Sequence, residues 1–476
     1  MKKLLLLFCI LNSSFSILHS QSENYNTMNV TKLGHWWNPS QPAEPTYGIK
    51  YQSVWGWYQQ STNKEYAILG TSTGTEFIDV TNPASPVVCA YVAGAHGNLI
   101  WHEIKTYQNY CYIVSDDSPP NTFIIADMSY LPDSVHIVRN DHVIFERCHT
   151  IFVDGDKLYG GGITGHSNSF SYSMAVYDLS ADPTTPALIH HLDQDYATPG
   201  YVHDMFVRND TVYASGGNDG LYIYKFNNGT TNTFTELDAL QNYPEQGYNH
   251  SSFLTQDGHT LIFTDEVPAG KGIKSLDVSQ FGNLTINEVF RSNQGNTPHN
   301  PYIIGNNILV AANYTDGIQI WDISNPSSVV RTGYFDSDTT INYPNYTAAY
   351  HGAWGAYTDL PSGHLLSADM QNGLYILDIS QAELISTHDI SKPSVSVDAF
   401  PNPFDATCFL NLSLDKNQKI TYAVYDATGK MVLTETKDFP AGKTLLEIES
   451  ADLASGIYSV HVDGETIHAV SRMVKK

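Results

Sequence analysis

Six histidines recur at the starts of strand-like runs: His102, His149, His203, His250, His299 and His351. Five of them are followed three residues later by a large aromatic, as Phe152, Phe206, Phe253, Tyr302 and Trp354. Lys105 takes that place after His102, and the first copy of the pattern reads Gln52 and Trp55. A neutral imidazole can donate and accept hydrogen bonds and can also ligate a transition metal. A ring of them therefore offers two chemistries. They can hydrogen-bond the backbone or the turn carboxylates of the next repeat, a role that recurs with each unit. Or they can hold a transition metal, with Glu103, Asp204 or acids at strand ends as oxygen ligands. Repetition favours the structural role, because a catalytic centre needs unlike residues in distinct roles. Gln52 favours it too, since an amide hydrogen-bonds well and ligates poorly. A wide ring is expected to let at most two or three neighbouring imidazoles share one ion. The six histidines are the channel-lining candidates; no catalytic residue is assigned. No resident cofactor is expected, with a transition metal or calcium as the alternative.

The elements that must position these residues announce themselves by a repeated turn. Gly317-Ile318-Gln319-Ile320-Trp321-Asp322-Ile323-Ser324-Asn325-Pro326 is an alternating, β-branched strand ending in Asp-X-Ser. An Asp side chain bonds back onto the backbone two residues on, which stops the strand. The turn position recurs as Asp79, Asp127, Asp178, Lys225, Asp277, Asp322 and Asp378, at gaps of 48, 51, 47, 52, 45 and 56 residues. A period near 50 built of strands and turns predicts propeller blades, and counting the units predicts seven of them. Residues three apart on a strand face opposite ways, so the aromatics are expected to pack between blades.

Residues 28–37 read like the outer strand of a blade, and no such strand follows the turn at Asp378. The expectation is that they complete the last blade and close the ring, leaving no open edge. Strand ends rich in acid, such as Asp116-Asp117, Asp219, Asp265-Glu266, Asp316 and Asp369, read first as turn chemistry. Pro119–Asn121, Thr164–Ser173, Pro183–Tyr201, Asn228–Tyr248 and Thr339–Tyr350 depart most from blade length. Loops on a rigid scaffold carry function, so these are the places to look for a ligand.

Composition narrows the partners. The chain of 476 residues has 24 basic and 49 acidic side chains, a net charge of −25. Such a surface repels nucleic acid and anionic lipid. Residues 1–20 have the form of an export signal: Lys2 and Lys3, then the apolar run Leu4 to Ile10, with cleavage expected near Ser20. No later run is apolar for long enough to span a bilayer. Cys89, Cys111, Cys148 and Cys408 do not make a disulfide framework; one bridge among the first three, or buried thiols, are both open. Gly160-Gly161-Gly162 and Gly216-Gly217 precede no helix and are not phosphate-binding fingerprints. Asp154-Gly155-Asp156 lacks the spacing of a helix-loop-helix calcium site.

Two resemblances follow from residues already named. The repeats, from about residue 28 to 380, resemble LVIVD-repeat proteins of the choice-of-anchor B type. The carriers are Gly74 to Pro83, Trp101-His102-Glu103-Ile104, Gly317 to Pro326, and Trp354-Gly355 with Leu360-Pro361-Ser362-Gly363. This resemblance implies a propeller with a separate attachment module and carries over no catalytic residues. The tail is similar to the C-terminal sorting domain of the type IX secretion system of Bacteroidota. Its carriers are Phe400-Pro401-Asn402-Pro403-Phe404, Tyr425 to Gly429-Lys430, Leu453 to Gly456-Ile457-Tyr458, and Val474-Lys475-Lys476. It implies passage through the periplasm and outer membrane by that machinery. Pro401, Asn402, Pro403, Gly429, Lys430, Gly456 and Tyr458 are the sorting-motif residues it marks.

The resulting expectation is an all-β chain. Residues 1–20 are the signal, 21–380 the seven-bladed propeller closed by its N-terminal strand, 381–393 a linker, and 394–476 a small β-sandwich for sorting. The function read from it is an exported, surface-attached or secreted scaffold that binds a protein or a glycan. The rival is an exported enzyme or metal-binding protein with its site at the channel mouth.

Overall fold

A computed structural model describes residues 25–340, 350–386, 399–414, 416–426, 431–449, 453–464 and 468–476. The expected signal at residues 1–20 lies outside them, as do Gly429 and Lys430 of the sorting motif. The described chain is all-β and propeller-like, with seven antiparallel sheets between Asn26 and Asp378. The Tyr51–Gln59 sheet is typical: Lys64–Thr71, Gly74–Asp79 and Val87–Ala93 follow in order.

The repeated turn has the chemistry read from the sequence. An Oδ1 of Asp79, Asp127, Asp178, Asp277, Asp322 and Asp378 accepts the backbone N–H two residues on, at 2.8–3.0 Å. Lys225, the departure, reaches the Asn209 carbonyl with its ammonium. Each turn ends the third strand of a sheet at the same place, so each unit presents its first strand alike.

First strands of successive sheets are neighbours from Tyr51–Gln59 to Pro301–Ile304; Ala353–Tyr357 of the last sheet contacts Ile308–Ala312 of the sheet before it and Tyr51–Gln59 of the first. Apolar cores fill the spaces between sheets. Ile68 and Phe77 of the first sheet meet Ile113 and Ile124 of the second. Leu69 and Ile78 of the first meet Leu366 and Ile376 of the last. This explains why second strands such as Ile308–Ala312 and Leu365–Asp369 are buried along their length: a sheet covers each face. Outer strands such as His136–Asp141 are mostly exposed.

The N-terminal segment divides between two sheets. Thr31–Trp36 pairs antiparallel with Gly373–Asp378, from Thr31 opposite Asp378 to Trp36 opposite Leu374. Asn26–Met28 pairs instead with Val330–Asp336 of the preceding sheet. Asn29, with φ of 55°, makes the break between them, and its side-chain amide donates to the Thr332 carbonyl. The stretch read as a linker from residue 381 begins as a helix, Ser380–Ser386, whose Ala382 is fully buried against the Val330–Asp336 sheet. Seven residues are too few for a helical period to show in sequence.

In the tail, Thr407–Leu414 and Gly442–Glu449 belong to one sheet, and Gln418–Asp426 and Gly456–Gly464 to another. The two share a single core; Cys408, Leu410, Leu412 and Leu414 point into it at every second position. The four described cysteines are free thiols. No helix among the described residues is long and apolar enough to cross a membrane.

Candidate functional site

Four of the six histidines meet. The rings of His149, His203, His250 and His299 follow one another at centroid separations of 4.2, 4.3 and 4.3 Å. Two tryptophans complete the circuit. Trp354 lies 4.9 Å from His299, and Trp101 lies 5.8 Å from Trp354 and 6.3 Å from His149. The other two histidines lie outside it. His351 turns away to Asp338, with Nδ1 2.8 Å from the carboxylate. His102 is buried against Gly70, beside Gln52. Trp354 thus stands in the ring, not between sheets as its spacing predicted, and Trp101 lies where a sixth imidazole was expected.

The imidazoles are tied to the neighbouring sheet. His203 Nδ1 is 3.1 Å from the His250 carbonyl, and His299 Nδ1 bonds the Trp354 carbonyl. His250 lies against the His299 carbonyl without reaching full hydrogen-bond geometry. In the first sheet Gln52 does the same work, its amide donating to Leu99 O at 2.9 Å. A carbonyl only accepts, so in His203 and His299 the proton sits on Nδ1 and the lone pair on Nε2. Burial keeps these rings neutral. It lowers His299 to about 3 and His102 to about 4, and holds His203 and His250 well below the ordinary imidazole value.

The His layer separates two kinds of space. On one side is a mouth of about 510 Å³, walled by Trp101, Tyr201, Tyr248, Tyr350 and Trp354. On the other are narrow cavities of about 30 and 40 Å³. Glu103 and Asp204 line these; Asp204 accepts from Thr150 Oγ1 at 2.8 Å, and Glu103 is paired with Lys105. Beyond them Phe152, Phe206, Phe253 and Tyr302 contact one another in turn, at 5.3, 4.6 and 6.1 Å. The aromatics therefore form a second arc and pack between sheets as expected. Phe206 lies in the core its sheet shares with the next, with Phe152 and Phe253 against it, and Tyr302 packs against the core its sheet shares with the last. Most of the histidines precede the first strand residue, so strand alternation does not force the two sets apart.

The strand-end acids divide by position. Asp369 accepts the N–H groups of Gln371 and Asn372, which is turn chemistry, whereas Asp117 accepts those of Ile100 and Trp101 and ties down the stretch before His102. Asp265 is buried against Lys274 at 2.5 Å. Asp116 and Glu266 instead face the mouth. Asp116 accepts from His149 Nδ1 and the Tyr201 hydroxyl, each at 3.2 Å. Glu266 accepts the Tyr314 hydroxyl on Oε1 at 2.6 Å, while its Oε2 lies 3.8 Å from His250 Nε2. Burial raises the Glu266 pKa, opposed by the Tyr314 bond.

The mouth aromatics were legible but unread. Tyr201 and Tyr248 each lie two residues before a ring histidine and end two of the long inserted stretches. A search for Tyr-X-His would have found both.

The tail holds its own ends together. Asn402 donates to Arg472 O and accepts from Val474 N, both at 2.8 Å, and Tyr458 donates to Ala454 O at 2.8 Å. The motif Asn thus clips the last strand in place.

Comparison with known proteins assigns the tail. A family model described as a secretion system C-terminal sorting domain matches residues 398–476. That domain indicates export by type IX secretion to the cell surface or beyond, and engagement with its machinery. No curated protein sequence matches the chain. Among solved structures, the chain is similar to PorZ of Porphyromonas gingivalis, a bacterial surface component of the type IX secretion system. The identity is 12% and the TM-score 0.44, over 92% of this chain and 60% of that one. It is also similar to a putative 6-phosphogluconolactonase from Bacteroides uniformis, at 13% identity and a TM-score of 0.47. That alignment covers 84% of this chain and all of the other.

Proposed function

We propose that this chain is an exported seven-bladed β-propeller of the LVIVD-repeat type, closed by Thr31–Trp36, that binds a glycan at its channel mouth. The observation that carries the reading is the mouth itself: five Trp and Tyr side chains around about 510 Å³, over a floor of imidazoles and two carboxylates. That volume falls in the range of small-ligand sites. A sugar ring presents an apolar C–H face, which stacks on an aromatic ring, and a rim of hydroxyls, which seek acceptors such as Asp116 and Glu266. Seven apolar cores, each shared by two neighbouring sheets and including one between first and last, support the closed ring. Export through the sorting tail delivers the site to where surface and environmental glycans are met.

The test is a glycan array probed with the exported protein, followed by titration calorimetry of each hit. Trp101→Ala and Tyr248→Ala should each weaken binding by about tenfold or more, as expected for loss of a stacked aromatic anchor. An array without signal, or hits that both variants bind as the wild type does, would refute the assignment.

A further inference from the structure

The floor of the mouth holds a second, more specific feature. His250, Glu266 and His299 each offer one ligand atom, and the three atoms all lie within 4.8 Å of one another. We propose that these residues form a binding site for a divalent transition metal, with Zn²⁺ as the fitting probe.

Three features of the surroundings prepare the ligands. His299 donates Nδ1–H to the Trp354 carbonyl, which leaves the Nε2 lone pair for the metal. A backbone carbonyl on the far nitrogen is the usual partner of a ligating histidine. His250 Nε2 faces Glu266 Oε2 at 3.8 Å. Tyr314 donates to the other oxygen of Glu266 at 2.6 Å, which fixes the carboxylate and leaves Oε2 turned to the imidazole. His250 and His299 are each at most 5% exposed, so neither ligand needs to be ordered when the ion arrives.

The spacing fits with little movement. Ligand bonds of about 2.0–2.1 Å in tetrahedral geometry place ligand atoms about 3.3–3.5 Å apart. Closing from separations of at most 4.8 Å needs shifts of up to about 0.7 Å per ligand atom, which small side-chain torsions supply. Two imidazoles and one carboxylate, with a position open to a cavity, is the donor set of a zinc site that keeps an exchangeable ligand. Imidazole donors select transition metals over Mg²⁺ and Ca²⁺, which take all-oxygen sites. The open position faces the mouth, where Tyr248 and His203 border the same space. The site does not rest on glycan binding: it would take metal whether or not the mouth holds a sugar.

The experiment uses the full exported chain, stripped with chelator, dialysed and titrated with Zn²⁺ alone against a chromogenic competitor. One equivalent should bind to the wild type. Glu266→Gln keeps the shape and the acceptor for Tyr314, and His299→Gln keeps a donor for the Trp354 carbonyl, so both variants should fold. Each should bind about 100-fold more weakly or worse, since even an outer-sphere change costs 10–100-fold. Tyr314→Phe should cost about tenfold by the same rule. His259→Ala, at an exposed and distant histidine, should bind as the wild type does. Circular dichroism of each variant separates lost binding from lost fold. The proposal is overturned if the wild type binds well under one equivalent. It is equally overturned if folded Glu266→Gln and His299→Gln variants bind as tightly as the wild type.

Discussion

Replacing His299 by Gln should change how stability responds to acid, by an amount the structure specifies. The His299 ring is 3% exposed and donates to the Trp354 carbonyl. Burial lowers its folded pKa to about 3, against about 6.5 in the unfolded chain. Between those values the unfolded state binds a proton that the folded state refuses, so stability falls as pH falls. The slope approaches about 1.4 kcal/mol per pH unit for one group and integrates to about 2.7 kcal/mol from pH 7.5 to 4.5. Gln removes the titration and keeps a donor, as Gln52 shows in the first sheet. Other buried groups, including the raised carboxyls of Asp336 and Asp369, titrate alike in both proteins and cancel in the difference. Urea unfolding of both proteins, in chelator at pH 7.5, 5.5 and 4.5, reads that difference. At pH 7.5 the two should differ by a fixed offset. At pH 4.5 the balance should have moved toward the variant by about 2–3 kcal/mol. A gap that stays constant to within about 0.5 kcal/mol would show that His299 titrates alike in both states. It would then be neither desolvated nor held with its Nε2 lone pair free.

Other outcomes follow from packing and export. A Cβ on Gly34 would lie 1.7 Å from the Pro83 carbonyl oxygen, so Gly34→Val should push Thr31–Trp36 off its sheet. It should lower stability by at least the 1–3 kcal/mol typical of overpacking, read by thermal unfolding; an unchanged melting temperature would deny that strand a closing role. Lys274 and Asp265 are fully buried, so Lys274→Met should cost about 3–5 kcal/mol by stranding a carboxylate. Adding Asp265→Asn should recover part of that loss, because Asn still accepts from Tyr243; equal losses in single and double variants would count against a charge effect. Deleting residues 399–476 should leave the protein folded in the periplasm, and normal surface delivery on fractionation would contradict the sorting role.

What could be read from the sequence was what local chemistry decides. An Asx turn closes within three residues, so Asp322 and its five counterparts were legible from spacing. The alternation of Thr407–Leu414 likewise exposed the tail's core face. The site was harder because it joins residues that the chain separates widely. Trp101 and Trp354 meet only because the last sheet returns to the first, and no local pattern encodes that contact. His351 shares the histidine spacing, yet Asp338, thirteen residues upstream, draws it aside. Glu266 looked like one more acidic turn residue; its role depends on Tyr314, which belongs to the next sheet. Repetition made six histidines look equivalent, and only their surroundings distinguish them.

The claim that the mouth is where this protein meets its ligand can be tested directly by hydroxyl-radical footprinting with and without an array-identified glycan. Tyr201, Tyr248 and Trp101 line the mouth and are partly exposed, whereas Tyr91 and Tyr130, 46% and 50% exposed, lie outside it. Saturating glycan should slow oxidation of the three mouth residues and leave Tyr91 and Tyr130 unchanged. Protection of Tyr91 or Tyr130, with Tyr201, Tyr248 and Trp101 oxidised at their free rate, would place the ligand elsewhere.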